Sequence, residues 1–170
     1  MIQRIHLALV AVLAALAGQA AALQDPGKAV LTQIAVTVYH ATNGDPEVAG
    51  EMARPVDEET ERRLRAERNL RFAHYRALGR DIEPLYRSYE NWAQPLKPSD
   101  EVLVRFEARS RPENDRVRLG IELWLSRKQI LRTDVRLVEG RPLFVLGPEW
   151  RGGRLIIAIE LADELKTGDE

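Results

Sequence analysis

A series of short alternating apolar segments between residues 102 and 161 constrains the fold more than any other feature of the chain. Each segment carries an apolar residue at every second position, which is the period of a half-buried β-strand. Turn-forming residues such as the Glu139-Gly140 pair separate the segments. The pattern predicts an antiparallel meander of about five hairpin-linked strands that share one buried face.

The register of the central hairpin can be derived from the positions of its apolar and charged residues. A three-residue turn, 126–128, pairs Leu123 with Leu131, Leu119 with Val135, Val117 with Leu137 and Glu122 with Arg132. A two-residue turn would instead place Leu123 opposite Arg132. Because a slip of one residue moves a whole apolar set to the other face, the first register is favoured. The Glu122–Arg132 pair is then expected to be an exposed ion pair.

The same reasoning extends the meander in both directions. Upstream, it predicts Phe106 opposite Leu119 and Glu107 opposite Arg118. Downstream, a turn at Glu139-Gly140 pairs Val135 with Phe144 and Leu137 with Pro142, and the last hairpin pairs Phe144 with Ile157 and Leu146 with Leu155. These pairings leave residues 147–154 as an eight-residue loop.

The last strand, residues 154–161, is apolar on both faces, which predicts a position in the interior of a sheet. An alternating N-terminal strand from about Thr32 to His40 is expected to pair beside it. The outer patch, which should include Leu143 and Val145, then needs a cover. We expect a helix or the segment 72–75 to supply it.

The segment 56–68 predicts one surface helix, with Asp57 as its N-terminal cap and Leu64 as its main apolar residue. Pairs of Glu and Arg four residues apart support it: Glu58–Arg62, Glu59–Arg63 and Glu61–Arg65. Residues 69–78 allow either a longer helix or a break at Asn69, and the break is favoured. Residues 85–90 are expected to form a short edge strand beside several prolines.

The N-terminus has the three parts of a secretory signal peptide. A short basic start precedes the apolar run Leu7–Ala17, and small residues follow up to Ala22. A run of this length is too short to cross a bilayer, although a retained anchor is the alternative. We therefore predict a signal peptide over 1–22, a flexible leader over 23–31, one domain over 32–163 and a disordered tail over 164–170.

Charge and cysteine content exclude several classes of protein. The chain has 25 Lys and Arg against 26 Asp and Glu, so no basic face for nucleic acid is expected. It has no cysteine, which excludes disulfides, thiolate metal sites and an N-terminal lipid anchor on cysteine. After cleavage of the signal peptide, no membrane attachment is predicted.

Known catalytic patterns are not found in the sequence. The two histidines after the signal segment, His40 and His74, lack the spacing of a metal pair, and no serine lies in a nucleophile motif. The sequence RGGR at 151–154 precedes a strand rather than a helix, unlike a phosphate-binding loop. We therefore predict no catalytic residue, no metal and no cofactor.

Three tryptophans and two arginines form the candidate binding surface: Trp92, Trp124, Trp150, Arg151 and Arg154. Exposed aromatic residues bind saccharides or act as hot spots for protein partners. The alternative for a tryptophan in a loop is that it folds back and packs over one end of a sheet. For Trp150 we expect the second role.

Three stretches together resemble a group of small exported bacterial proteins: LRFAHYRALG, RSYENWAQPLKPSDEVLVRFEA and GPEWRGGRLIIAIEL. The shared features are an aromatic segment of the form F…YR.LG, a β-rich second half and a glycine turn before a last apolar strand. The resemblance implies an exported, sheet-rich domain, and it implies no catalytic residue.

These observations predict an α+β fold, with an antiparallel meander, an N-terminal strand and one surface helix. A small β-sandwich or a partly closed barrel is the alternative. The expected function is that of a non-enzymatic cell-envelope protein, a protein-interaction or structural assembly module that presents a sheet or loop surface to an envelope protein partner. Such a partner would need a contiguous apolar patch. A saccharide-binding module would instead need tryptophans along one groove, and a hydrolase would need a histidine beside a carboxylate.

Overall fold

The computed structural model describes residues 25–162, and the predicted signal peptide and C-terminal tail lie outside them. In chain order the elements are β1 Val30–Thr42, β2 Arg54–Pro55, α1 Glu58–Ala66, β3 His74–Tyr86, β4 Asn91–Ala93, β5 Val102–Ala108, β6 Arg116–Leu125, β7 Lys128–Val138, β8 Leu143–Trp150 and β9 Gly153–Leu161. Short 3-10 helices cover Pro26–Lys28, Pro46–Ala49 and Arg68–Leu70. The predicted fold class, mainly antiparallel strands with one α-helix, is confirmed.

The strands form two antiparallel sheets that share one apolar core. The first sheet has the order β2-β3-β1-β9-β8 and the second has the order β4-β5-β6-β7. Buried side chains from both sheets meet between them, among them Ile34, Val36, Phe106, Leu119 and Ile157. This arrangement corresponds to the sandwich alternative.

The predicted register of β6 and β7 is confirmed, although its turn is wrong. Leu123 lies opposite Leu131 and Glu122 lies opposite Arg132, as expected. The turn contains only Ser126 and Arg127, both with positive φ, of 46° and 66°. The turn is one residue shorter than predicted, and an irregularity in the strand pairing between Leu123 and Trp124 accommodates the remaining residue. The chain between Leu123 and Leu131 therefore still fits the predicted register.

On the other side of β6, the predicted face is correct and the register is shifted by two residues. Phe106 lies opposite Ile121 rather than Leu119, and Glu107 lies opposite Gly120 rather than Arg118. A shift of two residues keeps every side chain on the same face, so Phe106 and Leu119 are both buried as predicted.

The predicted pairing of β7 with β8 is wrong. Chain reversal does occur at Glu139-Gly140, where Gly140 has a φ of 70° and Val138 bridges Arg141. The chain then crosses to the first sheet, so Val135 is not paired with Phe144, nor Leu137 with Pro142. The turn therefore connects the two sheets rather than two neighbouring strands.

The last hairpin is longer than predicted and its register differs by one residue. Phe144 lies opposite Ala158 and Leu146 opposite Ile156. The predicted loop 147–154 is wrong, because β8 continues to Trp150, which lies opposite Gly153. The pairing of β9 with β1 is confirmed, with Val36 opposite Ile159. The interior position of β9 follows from its two neighbours.

The outer face of the first sheet is partly covered by α1 and the segment that follows it. Asp57 caps the helix by accepting a hydrogen bond from the Thr60 amide at 2.8 Å. Leu64, Leu70 and Tyr75 pack with Ile156, and Phe144 packs against this cluster. The predicted cover is therefore confirmed. The helix does not extend to residue 78, but it ends at Ala66, before the predicted break, and Asn69 lies in the short 3-10 helix. Leu143 and Val145 face the inter-sheet core instead, because the register is shifted.

Two local predictions need correction. Residues 25–31 are not a flexible leader throughout, since a 3-10 helix begins at Pro26 and β1 begins at Val30. The edge strand predicted over 85–90 is wrong, because β3 extends to Tyr86. Pro84 is tolerated there because β2 pairs only with Arg76 and Ala77, which leaves the outer edge of β3 without a strand at Pro84.

Candidate functional site

The predicted site residues divide between two places, and the first is the tip of the β8–β9 hairpin. Trp150 packs partly buried against the inter-sheet core, and its indole meets the His40 imidazole edge-on, with ring centroids 5.6 Å apart. His40 is fully buried, and its Nε2 lies 3.2 Å from the Trp150 carbonyl oxygen. A side chain on Gly153 would collide with the Ala41 carbonyl and the His40 ring. The tip is therefore a packed structural element.

The two arginines of this tip are occupied by contacts within the chain. The Arg151 guanidinium lies over the Trp150 ring, 4.4 Å from its centroid, and donates to the Ala49 carbonyl at 3.3 Å. Arg154 donates twice to the Gly147 carbonyl, at 2.7 and 3.1 Å. Neither guanidinium is fully free to bind an external anion, so this part of the predicted surface supports the hairpin.

The histidines are not placed for hydrolytic chemistry. Burial lowers the pKa of His40, and hydrogen bonding to the Trp150 and Arg151 carbonyls only partly opposes this. Its Nδ1 has no hydrogen-bond partner among residues 25–162. His74 lies exposed at the start of β3. Within the described part of the chain neither histidine forms an ion pair with a carboxylate, and no group of three or more His, Asp or Glu residues is placed to hold a metal ion.

The second place is the outer face of the second sheet, where Trp92 and Trp124 come together. Trp92 belongs to β4 rather than to a loop, and its ring centroid lies 6.1 Å from that of Trp124 on β6. The Trp124 indole nitrogen donates to Glu122 at 3.1 Å, which fixes the ring. Trp92 is exposed. The pair forms an aromatic surface that Trp150, on the other sheet, does not extend.

Glu122 stands beside this pair in an ionic network, and its predicted exposure is wrong. The residue is only 8 % exposed. It accepts a hydrogen bond from Arg105 at 3.2 Å and forms an ion pair with Arg132 at 3.6 Å. Arg105 also pairs with Glu90, and this contact lowers the pKa of the Glu90 carboxyl. Arg105, Arg132 and Trp124 all contact the Glu122 carboxylate, and these three long side chains shield it from solvent.

A groove that the sequence did not indicate lies on the outer face of the first sheet, beside α1. Its volume is about 370 Å³, within the range of small ligand sites. Apolar and small side chains from five separate segments line it, among them Val56, Ala77, Pro142, Phe144 and Ala158. These residues are distant in the chain, so only the packing of the helix against the sheet brings them together.

Polar side chains also line the groove, and several of them are engaged with one another. Burial raises the pKa of the Tyr39 phenol, so this side chain is a neutral hydrogen-bonding group at neutral pH. Arg80 pairs with Glu160 at 3.5 Å. Hydrogen bonds from the backbone and hydroxyl of Thr60 lower the pKa of Asp57. The apolar part of the lining, with Val56, Phe144 and Ala158, suits an apolar side chain, and the polar groups around it can bind the backbone of the same segment.

The groove adjoins a free strand edge. β8 is the last strand of the first sheet, and within residues 25–162 no strand pairs with its outer edge. Pro142 and Phe144, at the start of this strand, line the groove. The stretch Leu143–Leu146 is entirely apolar, and Leu146 is 37 % exposed. An extended segment alongside β8 would thus lie at the groove's rim.

The fold and these surfaces define a small two-sheet β protein with an open apolar edge and an aromatic pair on the opposite sheet. Comparison of the chain with protein-family models, with curated proteins and with solved structures gives no match. Among the described residues no helix is long and apolar enough to cross a membrane.

Proposed function

We propose that the chain is an exported, non-enzymatic protein of the bacterial cell envelope that binds an extended segment of a partner protein along β8. The observation that carries this proposal is the unprotected apolar edge of β8 beside a groove. A segment added to a free strand edge gains main-chain hydrogen bonds, and its alternate side chains enter neighbouring pockets.

β7 and β8, the two long terminal strands of the sheets, differ in a way that supports this choice. β7, the last strand of the second sheet, carries Arg132, Asp134 and Arg136, and charged residues prevent unwanted pairing of edge strands. β8 has no charged residue between Leu143 and Leu146. A strand edge without charged residues is prone to pair with another strand, so the apolar edge of β8 favours a role in binding.

Export is the second part of the proposal, and it rests on the N-terminal sequence. The apolar run Leu7–Ala17 and the small residues up to Ala22 are typical of a cleaved signal peptide. N-terminal sequencing of the exported protein is expected to begin near Leu23. Recovery of the full-length chain in the membrane fraction alone would contradict export of a cleaved product.

Site-specific photo-crosslinking in intact cells tests the binding edge. A photoreactive residue in place of Leu146 is expected to give a discrete adduct with one envelope protein. The matched control is position 130 on β7, because Ile130 is also an apolar edge residue and is 44 % exposed. A charge at the edge should block binding. The same adduct, probed from position 149, where Glu149 is exposed on β8, should therefore be lost in Leu146→Lys and retained in Ile130→Lys.

Equal adducts at positions 146 and 130 would contradict the proposal, since they would show contact without preference for β8. The absence of an adduct at both positions would contradict it as well. Circular dichroism of Leu146→Lys checks the fold, which should be unaffected because Leu146 is on the surface.

Saccharide binding at the Trp92–Trp124 pair is the second candidate function. It is favoured by the 6.1 Å separation of the rings and by the charged network beside them. Co-sedimentation with purified cell-wall glycan is the test, with Trp92→Ala expected to lose binding. Tyr89→Ala is the matched control, because Tyr89 is exposed and lies outside the pair. Equal binding by wild type and Trp92→Ala would exclude this function.

A further inference from the structure

We propose that the end of the second sheet opposite the tryptophan pair holds a binding site for an oxyanion of the phosphate class with two or more negative charges. The site is a cleft of about 280 Å³ in which four arginines gather: Arg111, Arg116, Arg118 and Arg136. Ser110, Val117 and Glu113 complete its lining, and Glu113 is the one carboxylate among these residues. We call it the arginine cleft.

Strand register creates the cleft. Arg118 on β6 lies directly opposite Arg136 on β7. Both point to the outer face, because their neighbours Val117 and Leu137 are buried in the core. Side chains in directly opposed positions have Cβ atoms about 5 Å apart, and like charges so placed are destabilising. The pair therefore opposes folding slightly unless an anion lies between the two guanidinium groups.

Charges elsewhere on the same face are balanced, which sets the arginine cleft apart. Arg105 pairs with Glu90, Glu107 and Glu122, and Arg109 pairs with Glu107 at 2.7 Å and Asp134 at 3.1 Å. Within the cleft Arg116 pairs with Asp115 at 3.1 Å. Among the described residues Arg111, Arg118 and Arg136 have no carboxylate partner. A role in stabilising the sheet does not explain why the arginines are paired with carboxylates elsewhere on this face and are without such partners in the arginine cleft.

The chemistry of these groups selects the ligand. Guanidinium groups bind phosphate and carboxylate oxygens through paired N–H donors. Three guanidinium groups without partners exceed what one singly charged carboxylate neutralises, so an oxyanion with two or more negative charges is the better match. The Ser110 hydroxyl, whose Oγ lies 3.1 Å from the Arg111 carbonyl oxygen, adds a further polar group to the lining.

Titration of the whole exported chain with inorganic pyrophosphate at constant ionic strength tests the site. Isothermal calorimetry should show binding by the wild type, and Arg118→Gln with Arg136→Gln should weaken it at least about tenfold. The control double variant, Arg109→Gln with Arg132→Gln, removes the same charge from the same face and should bind as the wild type does. Far-ultraviolet circular dichroism verifies that both variants fold.

Vesicles distinguish the sources of the phosphate group. Co-sedimentation with vesicles of phosphatidylcholine and phosphatidic acid that needs Arg118 and Arg136 would assign a lipid headgroup. Pyrophosphate binding without vesicle binding would assign a soluble or polymer-borne phosphate. Equal loss of pyrophosphate affinity in both double variants would overturn the proposal, because it would show an effect of net charge alone. No binding by the wild type would overturn it as well.

Discussion

The imidazole of His40 and the indole of Trp150 meet edge-on at the end of the inter-sheet core, with their planes at 67°. His40 lies near the end of β1, and Trp150 lies at the end of β8. Their contact therefore joins the first strand of the chain to the tip of the last hairpin. A T-shaped pair of this kind is favourable beyond its burial of area. The stability of the hairpin tip depends on this contact.

Replacement of Trp150 by alanine should destabilise the fold. We expect Trp150→Ala to lower the free energy of unfolding by about 2–4 kcal/mol, because a large ring that packs on the core is lost. Denaturant titration measures the change. Trp92→Ala is the matched control and should cost at most about 1 kcal/mol, since Trp92 is exposed. Unchanged stability in Trp150→Ala would contradict the packing role.

Burial of His40 should make stability fall on the acid side. Since burial lowers its pKa below the unfolded value of about 6.5, the unfolded chain binds the proton more readily. Stability from this group is complete above about pH 6.5 and is lost as the pH falls through the folded pKa. Chemical denaturation across this range should show the loss in the wild type and in His74→Gln. A similar loss in His40→Gln would contradict the assignment.

Leu119 tests the buried face of the second sheet. Its side chain is fully buried between the sheets, so Leu119→Ala should cost about 2–5 kcal/mol, as other large-to-small changes in cores do. Ile130→Ala on the edge of the same sheet is expected to stay within about 0.5 kcal/mol. An unchanged denaturation midpoint for Leu119→Ala would show that this face is not the core.

Glu122 should contribute more than a surface carboxylate does. It is buried and receives donors from Arg105 and Trp124, so Glu122→Ala should cost about 1–3 kcal/mol. Glu59→Ala removes an exposed helix pair with Arg63 and should cost about 0.5 kcal/mol at most. Thermal unfolding compares the two variants. Equal and small effects would indicate that Glu122 is exposed in solution, as its sequence context alone predicts.

Strict alternation explains which parts of the fold could be predicted. β6 and β7 carry most of their apolar residues on one face and charged residues on the other, so a slip of one residue is costly and the register could be derived. That register also places Arg118 opposite Arg136, so half of the arginine cleft follows from sequence. β8 and β9 are apolar on both faces, so a one-residue slip leaves the pattern intact, and their register was wrong.

The other differences have tertiary causes. A Glu-Gly turn fits a hairpin within one sheet and a connection between two sheets equally well, so the crossing after Val138 has no local signal. The groove combines Val56, Ala77 and Ala158, which are far apart in the chain. The apolar run Leu143–Leu146 is visible in the sequence, but its position at a sheet edge is a property of topology. The sequence alone therefore predicts a binding surface at the tryptophans rather than at the edge of β8.

Amide hydrogen exchange on β8 tests strand addition most directly. The probe is the partner segment that cross-links at position 146, added to the purified protein. Alternate amides of Leu143–Leu146 point away from β9 in an antiparallel edge strand. These amides should become protected when the segment binds, while exchange along β7 stays the same. Bound segment with unchanged exchange in Leu143–Leu146 would contradict the claim that β8 is the binding edge.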